Sequence, residues 1–184
     1  MNRFVSTLAA IFLGVFFMTA DAQAQDLENT LYLDLKDGRV VIELLPALAP
    51  KHVARIKALT REGFYDGLTF HRVIDGFMAQ GGDPDGNGTG GSGQNLPAEF
   101  SKEPFVRGVL GMARSNDINS GDSQFFIMLA SAPHLNGQYT VWGRVVEGMD
   151  FVDHIKKGRQ SQGGAVDGTP DKIVRLQVAA DAKD

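Results

Sequence analysis

The sequence predicts a mainly β fold in which about eight short strands close into a barrel. Three observations support this. Apolar residues alternate with polar ones in several short segments, turn residues separate these segments, and no linker divides the chain. Strands that each have one apolar face can bury it inside a closed barrel, which also removes exposed sheet edges.

Residues 1–24 have the pattern of a secretory signal peptide. Arg3 precedes an apolar run from Phe4 to Met18, and Ala22-Gln23-Ala24 offers a small-x-small cleavage site. The apolar run is shorter than the ~20 residues that span a bilayer, so an uncleaved membrane anchor is the weaker alternative. Cleavage leaves residues 25–184, which we expect to form one monomeric domain in the periplasm. Secretion beyond the cell or a eukaryotic secretory route stays open.

Composition excludes some classes of function. The net charge of −4 disfavours nucleic acid binding, which requires a basic surface. The chain has no cysteine, so its stability must come from packing and hydrogen bonds rather than disulfides.

The first two strands and the first helix are the clearest elements. Leu31, Leu33 and Leu35 share one face of a strand, and Asp37-Gly38 is a favourable two-residue hairpin turn. A helix should begin at Pro50, whose missing N–H costs nothing at that position, and end near Gly63. The later elements are a second short helix over 149–155 and strands at 68–74, 77–81, 109–113, 124–129, 141–146 and 173–178.

Two segments combine polar and aromatic residues in an unusual way. The first runs from Phe70 to Asp83 and sets Arg72 and Gln80 among apolar residues. The second is Ser123-Gln124-Phe125-Phe126-Ile127-Met128, a strand in which Phe126 should face out of the barrel. A Phe that points out of the barrel must either be covered by other parts of the chain or form part of a binding site. One reading is an aromatic cluster under a loop with Arg72 paired to a surface carboxylate; the other is a binding pocket.

The two segments resemble the active-site signature of the cyclophilins, a family of peptidyl-prolyl cis-trans isomerases. The resemblance extends over nearly all of residues 31–178. It implies an eight-stranded antiparallel barrel with an α-helix capping each end, and activity on proline-containing segments of folding proteins. The reaction is rotation about an amide bond with a barrier of ~18–20 kcal/mol. No covalent bond breaks, so we expect no metal and no cofactor.

The resemblance also implies roles for individual residues. Arg72, Gln80 and Phe126 would be catalytic. The substrate-binding residues would be Phe77, Met78, Ala113, Arg114, Gln124, His134, Leu135 and Tyr139. Three of these depart from common family residues: Arg114 replaces Asn, His134 replaces the Trp of many eukaryotic members, and Tyr139 replaces His. A binding module that holds proline segments without turnover is the alternative function, although such a module would not need both Arg72 and Gln80.

Other motifs carry weaker signals. Residues 83–88 mimic the start of a calcium loop, but the twelfth position is Gln94 rather than glutamate. The four histidines lack zinc-ligand spacing. We expect His52 and His154 on helix surfaces, and His71 bonded to a backbone group.

Overall fold

The computed structural model describes residues 26–183, so the predicted signal peptide at 1–24 lies outside the described residues. Within 26–183, no helix is long and apolar enough to cross a membrane. The two α-helices are α1, Pro50–Arg61, and α2, Met149–Asp153. The eight strands are β1 Thr30–Leu35, β2 Gly38–Leu44, β3 Arg72–Ile74, β4 Met78–Gly81, β5 Val109–Met112, β6 Phe125–Met128, β7 Val141–Glu147 and β8 Arg175–Val178.

The strands form one sheet in the order β3-β4-β6-β5-β7-β2-β1-β8, with every pair antiparallel. The predicted mainly β fold with eight antiparallel strands and two helices is therefore confirmed. Closure of the sheet into a barrel is not shown, because β3 and β8 are the two ends of the sheet and do not pair with each other. Only the segments before these strands meet, through the Thr69–Lys172 bridge and a hydrogen bond from Phe70 N to Asp171 O of 2.9 Å.

Buried apolar side chains form two clusters, one on each face of the curled sheet. The inner cluster holds the alternating residues of the strands, such as Leu31, Leu33 and Ile127, together with Ile56 of α1. The outer cluster lies under the surface crossed by β4, β5 and β6, and contains Met78, Phe105, Val109, Phe126, Met128, Ala132, Leu135 and Val141. Both faces of β6 are thus buried. Phe126 points out of the sheet, as predicted, and is buried in the outer cluster.

The β1–β2 hairpin forms, but not with the predicted turn residues. Leu35 pairs with Gly38, so Lys36 and Asp37 make the turn. Gly38 is instead required by packing, because a Cβ there would lie 2.5 Å from the Phe151 ring. The prediction of a hairpin is correct, and its assignment to Asp37-Gly38 is wrong by one residue.

The prediction that His52 lies on a helix surface is wrong. The side chain lies in the interior and is 1% exposed. Its Nδ1 is 2.7 Å from Glu99 Oε2, and the N–H groups of Lys51 and His52 also donate to Glu99. Ala49, at the N-cap of α1, makes no side-chain cap bond. Glu99 therefore caps α1 from a distant loop, and the same carboxylate contacts the buried His52 ring.

The expectations for two other histidines have different outcomes. His154 is exposed, as predicted. The ring nitrogens of His71 have no partner of good hydrogen-bond geometry among the described residues, but the ring contacts the Thr69 backbone, so the predicted backbone bond of that side chain stays a prediction. Burial lowers the pKa of His71, and the Asp83 carboxylate opposes that effect.

Candidate active site

Strand register places Arg72, Gln80 and Phe126 in one row across the outer face of the sheet. Arg72 pairs with Gln80 on β4, and Gln80 pairs with Phe126 on β6. Directly opposite residues of antiparallel strands point to the same face and lie about 4.5–5.5 Å apart at Cβ. Two sequence segments about 50 positions apart thus come together because of strand pairing alone.

A glycine on β5 completes this row and makes space for the aromatic ring. Gly111 pairs with Phe126. A Cβ on Gly111 would overlap the Phe126 ring and lie 2.7 Å from Phe105 Cε1. Phe105 stacks on Phe126 with ring centroids 5.7 Å apart. The Phe126 ring is therefore fixed from below by a small residue and from the side by another ring.

The row borders a cavity of about 170 Å³. Nine of the eleven residues predicted from the sequence line it: Arg72, Phe77, Met78, Gln80, Ala113, Arg114, Phe126, Leu135 and Tyr139. Its apolar floor is buried, since Met78, Phe126 and Leu135 are each at most 9% exposed. Such a cleft suits a small apolar ring, with polar groups at one side to set its orientation.

Arg72 is held at two nitrogens. Its Nη1 donates to Gln80 Oε1 at 3.1 Å, and its Nε donates to the Gly163 carbonyl at 2.8 Å. The sulfur of Met78 lies 3.9 Å from Nη1. No described carboxylate pairs with Arg72, so the alternative of a surface ion pair is wrong for this side chain.

The two glutamines link this site to the glycine-rich loop. Gln80 Nε2 donates to Gln124 Oε1 at 2.9 Å, and Gln124 Nε2 donates to the Gly90 carbonyl at 2.9 Å. Gln124 lies outside the first cavity and lines an adjoining one of about 420 Å³. Gln80, Ala113 and Arg114 border both cavities. The groove is therefore continuous past the apolar cleft.

Arg114 and Tyr139 form one wall of the cleft. The guanidinium carbon of Arg114 lies 4.6 Å from the centre of the Tyr139 ring, a cation–π contact. Nε and Nη2 of Arg114 both donate to the Gln138 carbonyl, at 3.1 and 2.9 Å. Arg114 therefore adds a fixed positive charge to the rim of the cleft.

His134 lies beside the cleft without lining it. The ring is exposed and stacks on Phe77, with centroids 5.8 Å apart and an interplanar angle of 29°. It extends the aromatic wall outward. Of the predicted residues, His134 and Gln124 are thus the two that contact the site from outside the first cavity.

The calcium-like motif has a structural role in the glycine-rich loop. Asp83 is 1% exposed and accepts hydrogen bonds from the N–H groups of Asp85, Asn87 and Gly88. Burial would raise the pKa of Asp83, but these donors hold it below its ordinary value. The Asp83 carboxylate thus organises the loop backbone. Asp122 fixes the other end of the loop by accepting from Ser92 and from the N–H groups of Gly93 and Gln94.

Residues 30–178 match the family model of the cyclophilin type peptidyl-prolyl cis-trans isomerases. The chain belongs to the cyclophilin family. It is 60% identical over 174 residues to a probable peptidyl-prolyl cis-trans isomerase of Brucella suis, which covers 88% of each chain. It is 47% identical to peptidyl-prolyl cis-trans isomerase B of Bacillus subtilis, over 71% of this chain and 92% of that protein.

Solved structures agree with this assignment. A cyclophilin from Hirschia baltica superposes with a TM-score of 0.75 at 30% identity, covering 86% of this chain and 76% of that one. A Cryptosporidium parvum cyclophilin, crystallised in the presence of the dipeptide Ala-Pro, gives 0.73 at 30% identity, over 81% of this chain and 98% of that one. This cyclophilin is therefore a peptidyl-prolyl cis-trans isomerase, as the two sequence segments indicated.

Sequence reasoning missed several groups that shape the site. The Gly163 carbonyl on Arg72, and the anchoring of the glycine-rich loop by Asp122, were not predicted. The Gly163-Gly164 pair was the available signal, because two successive glycines often mark a close backbone approach. Nothing in the local sequence indicated which side chain this backbone would meet.

Proposed function

We propose that this cyclophilin speeds the folding of exported proteins by rotating their Xaa–Pro bonds in the cleft beside Arg72. The observation that carries this proposal is the position of Arg72, held at Nε and Nη1 on the edge of an apolar cleft. Its Nη2 makes no hydrogen bond within residues 26–183, so that nitrogen can donate to a ligand. The export part of the proposal is supported by the signal-peptide pattern of residues 1–24.

The cleft binds the proline ring. Phe126, Met78 and Leu135 supply its buried apolar surface, and the side chain of Phe77 is partly exposed at its edge. Burying each CH₂ of the ring contributes about 0.8 kcal/mol. Binding of the ring leaves the carbonyl side of the Xaa–Pro bond free to turn in the groove towards Gln80 and Ala113.

Arg72 lowers the rotational barrier. As the bond twists, amide resonance is lost and the proline nitrogen becomes pyramidal and basic. A charged donor aimed at that nitrogen stabilises the twisted state more than either planar state, which is the condition for catalysis. Preorganised donors of this kind contribute roughly 3–4 kcal/mol, or a rate factor of about 10²–10³. Arginine suits the role because it remains charged and its donors have a fixed geometry.

Substitution of Arg72 tests the mechanism. Arg72→Ala should lower the isomerisation rate of a short Xaa–Pro peptide by about 10²-fold, measured by protease-coupled stopped flow. Arg72→Lys should recover little, since an ammonium cannot occupy both acceptors. Arg175→Ala, at an exposed arginine on β8, is the matched control. A folded Arg72→Ala enzyme with full rate would contradict the assignment.

Cellular fractionation tests the location. The mature protein should be released with the periplasm and should begin at Gln25, as read by N-terminal sequencing. Recovery of intact Met1 protein in the cytoplasm would contradict the export proposal. Sedimentation of the mature protein tests the expected monomer.

A further inference from the structure

Residues 158–166 form a segment that covers the open edge of β3; we refer to it as the edge segment. Gly158 N donates to Val73 O at 2.9 Å, Val73 N donates to Gly164 O at 2.8 Å, and Val166 N donates to His71 O at 3.0 Å. The edge segment is therefore tied to the main chain on both sides of Arg72. None of its residues was predicted from the sequence to belong to the site.

The edge segment also contacts the side chain of Arg72 through the Gly163 carbonyl, which accepts from Nε at 2.8 Å. Gln80 accepts from Nη1. Two acceptors on different nitrogens fix the guanidinium plane, whereas one would allow it to rotate. With Nε and Nη1 occupied, Nη2 is the guanidinium nitrogen without a hydrogen-bond partner within residues 26–183.

This approach requires glycine at 163 and 164. Both residues have positive φ, +64° and +89°. A Cβ on Gly164 would overlap Ile74 Cγ1 and lie 3.3 Å from Val73 O. A side chain at 164 would push the edge segment away from β3, and the Gly163 carbonyl would move with it.

We propose that the edge segment is a positioning element for catalysis: Gly164 allows the Gly163 carbonyl to hold Arg72 Nε, and this bond fixes the guanidinium plane at the edge of the cleft. The inference rests on the proposed role of Arg72. It adds that the chemical step depends on a backbone carbonyl from a segment that lines neither cavity of the groove.

The first experiment observes the hydrogen bond itself. In ¹⁵N-labelled protein, the Hε of Arg72 should exchange with water at least ~10-fold more slowly than that of exposed Arg175, because a bonded N–H must open before it exchanges. Equal exchange rates for the two arginines would overturn the proposal, and this measurement needs no variant.

The second experiment moves the carbonyl. Gly164→Ala should lose the slow Hε exchange and lower the rate at saturating peptide by about 10- to 100-fold, as expected for misplacement of a catalytic group. The peptide Kd should change less than ~2-fold, since the apolar cleft is untouched. Gly168→Ala is the matched control: its φ is also positive, +67°, but a Cβ there meets only Lys156 Nζ, at 3.8 Å.

The double variant Gly164→Ala/Ile74→Ala separates positioning from general damage. Removing the Ile74 side chain relieves the overlap but not the backbone strain at residue 164, so the double variant should lie closer to Ile74→Ala, in rate and in Hε exchange, than Gly164→Ala lies to the wild type. A folded Gly164→Ala enzyme would overturn the proposal if it kept full rate after losing slow exchange, or lost rate while keeping it. Full rate in Arg72→Ala would instead refute the proposed function, so the two failures are distinguishable.

Discussion

Gln80 lies opposite Arg72 on the neighbouring strand, and its Oε1 accepts a hydrogen bond of 3.1 Å from Arg72 Nη1. The same amide donates through Nε2 to Gln124. One side chain therefore orients the guanidinium and is itself oriented by the next strand. A hydrogen bond to a charged group contributes about 1.5–3 kcal/mol when both partners are ordered.

Gln80→Ala should lower the isomerisation rate by about 10-fold, equivalent to about 1.4 kcal/mol. The guanidinium loses one of its two acceptors and gains rotational freedom, while the apolar cleft remains. Gln80→Glu keeps an acceptor for Nη1 but cannot donate to Gln124, so it should retain more activity than the alanine variant. The measurement is stopped-flow isomerisation of one Xaa–Pro peptide. Full activity in Gln80→Ala would show that the contact does not orient Arg72.

Gly111→Ala should damage the cleft through Phe126. The added methyl group would overlap the Phe126 ring and approach Phe105, so one ring must shift. Overpacking of this kind costs about 1–3 kcal/mol of unfolding free energy. Peptide affinity should fall with it, because Phe126 forms part of the cavity floor. Urea denaturation and an NMR peptide titration measure the two effects.

Gly137→Ala provides the control for Gly111→Ala. Gly137 has a φ of +69°, and a Cβ there meets no atom within 4 Å, so only its backbone preference changes. It should lower stability by about 1 kcal/mol and leave peptide affinity unchanged. If Gly111→Ala binds peptide as well as Gly137→Ala, then Phe126 is not fixed by the glycine beneath it.

The sequence allowed the fold and most of the site to be predicted because both depend on strand periodicity. Alternation gave the buried face of β1, where Leu31 and Leu33 are fully buried. The same period of two put Phe126 on the outer face, where the structure pairs it with Gln80. The family resemblance then gave identities to residues that periodicity had only placed on a face.

The missed features all depend on contacts between distant parts of the chain. The sequence pattern places His52 on the surface of a helix, but its ring is buried against Glu99, which is 47 positions away in the sequence. The Gly163 carbonyl reaches Arg72 across 91 positions. Closure of the barrel likewise depends on how far the sheet curls between β3 and β8. Local patterns carry no information on such approaches.

Glu99→Ala should lower the unfolding free energy by about 1–2 kcal/mol, the usual cost of losing a helix cap. Glu99 accepts from the N–H groups of Lys51 and His52, two of the otherwise unpaired donors in the first turn of α1. Glu103→Ala, four residues along the same loop, is the control. Urea denaturation at pH 7 measures both. Equal stabilities of the two variants would show that α1 does not need the cap.

The stability of the protein should fall as the pH drops below about 6.5, and the two histidines of lowered pKa, His52 and His71, should cause the first part of that loss. Burial lowers the pKa of His52 below its ordinary value of 6.5, although Glu99 opposes this. A folded-state pKa below the unfolded one means that the unfolded chain binds the proton more readily, so stability is complete above 6.5 and is lost as the pH falls through the folded pKa. Glu99 adds a loss of the same sign only below its ordinary value of 4.5, because the bonds from His52 and the α1 backbone outweigh burial and lower its pKa. Urea denaturation between pH 7 and pH 5 measures how the unfolding free energy depends on pH. This dependence should be flatter for His52→Gln than for the wild type or for the control His154→Gln, which changes an exposed histidine. Identical slopes in all three proteins would exclude His52 as a titrating group.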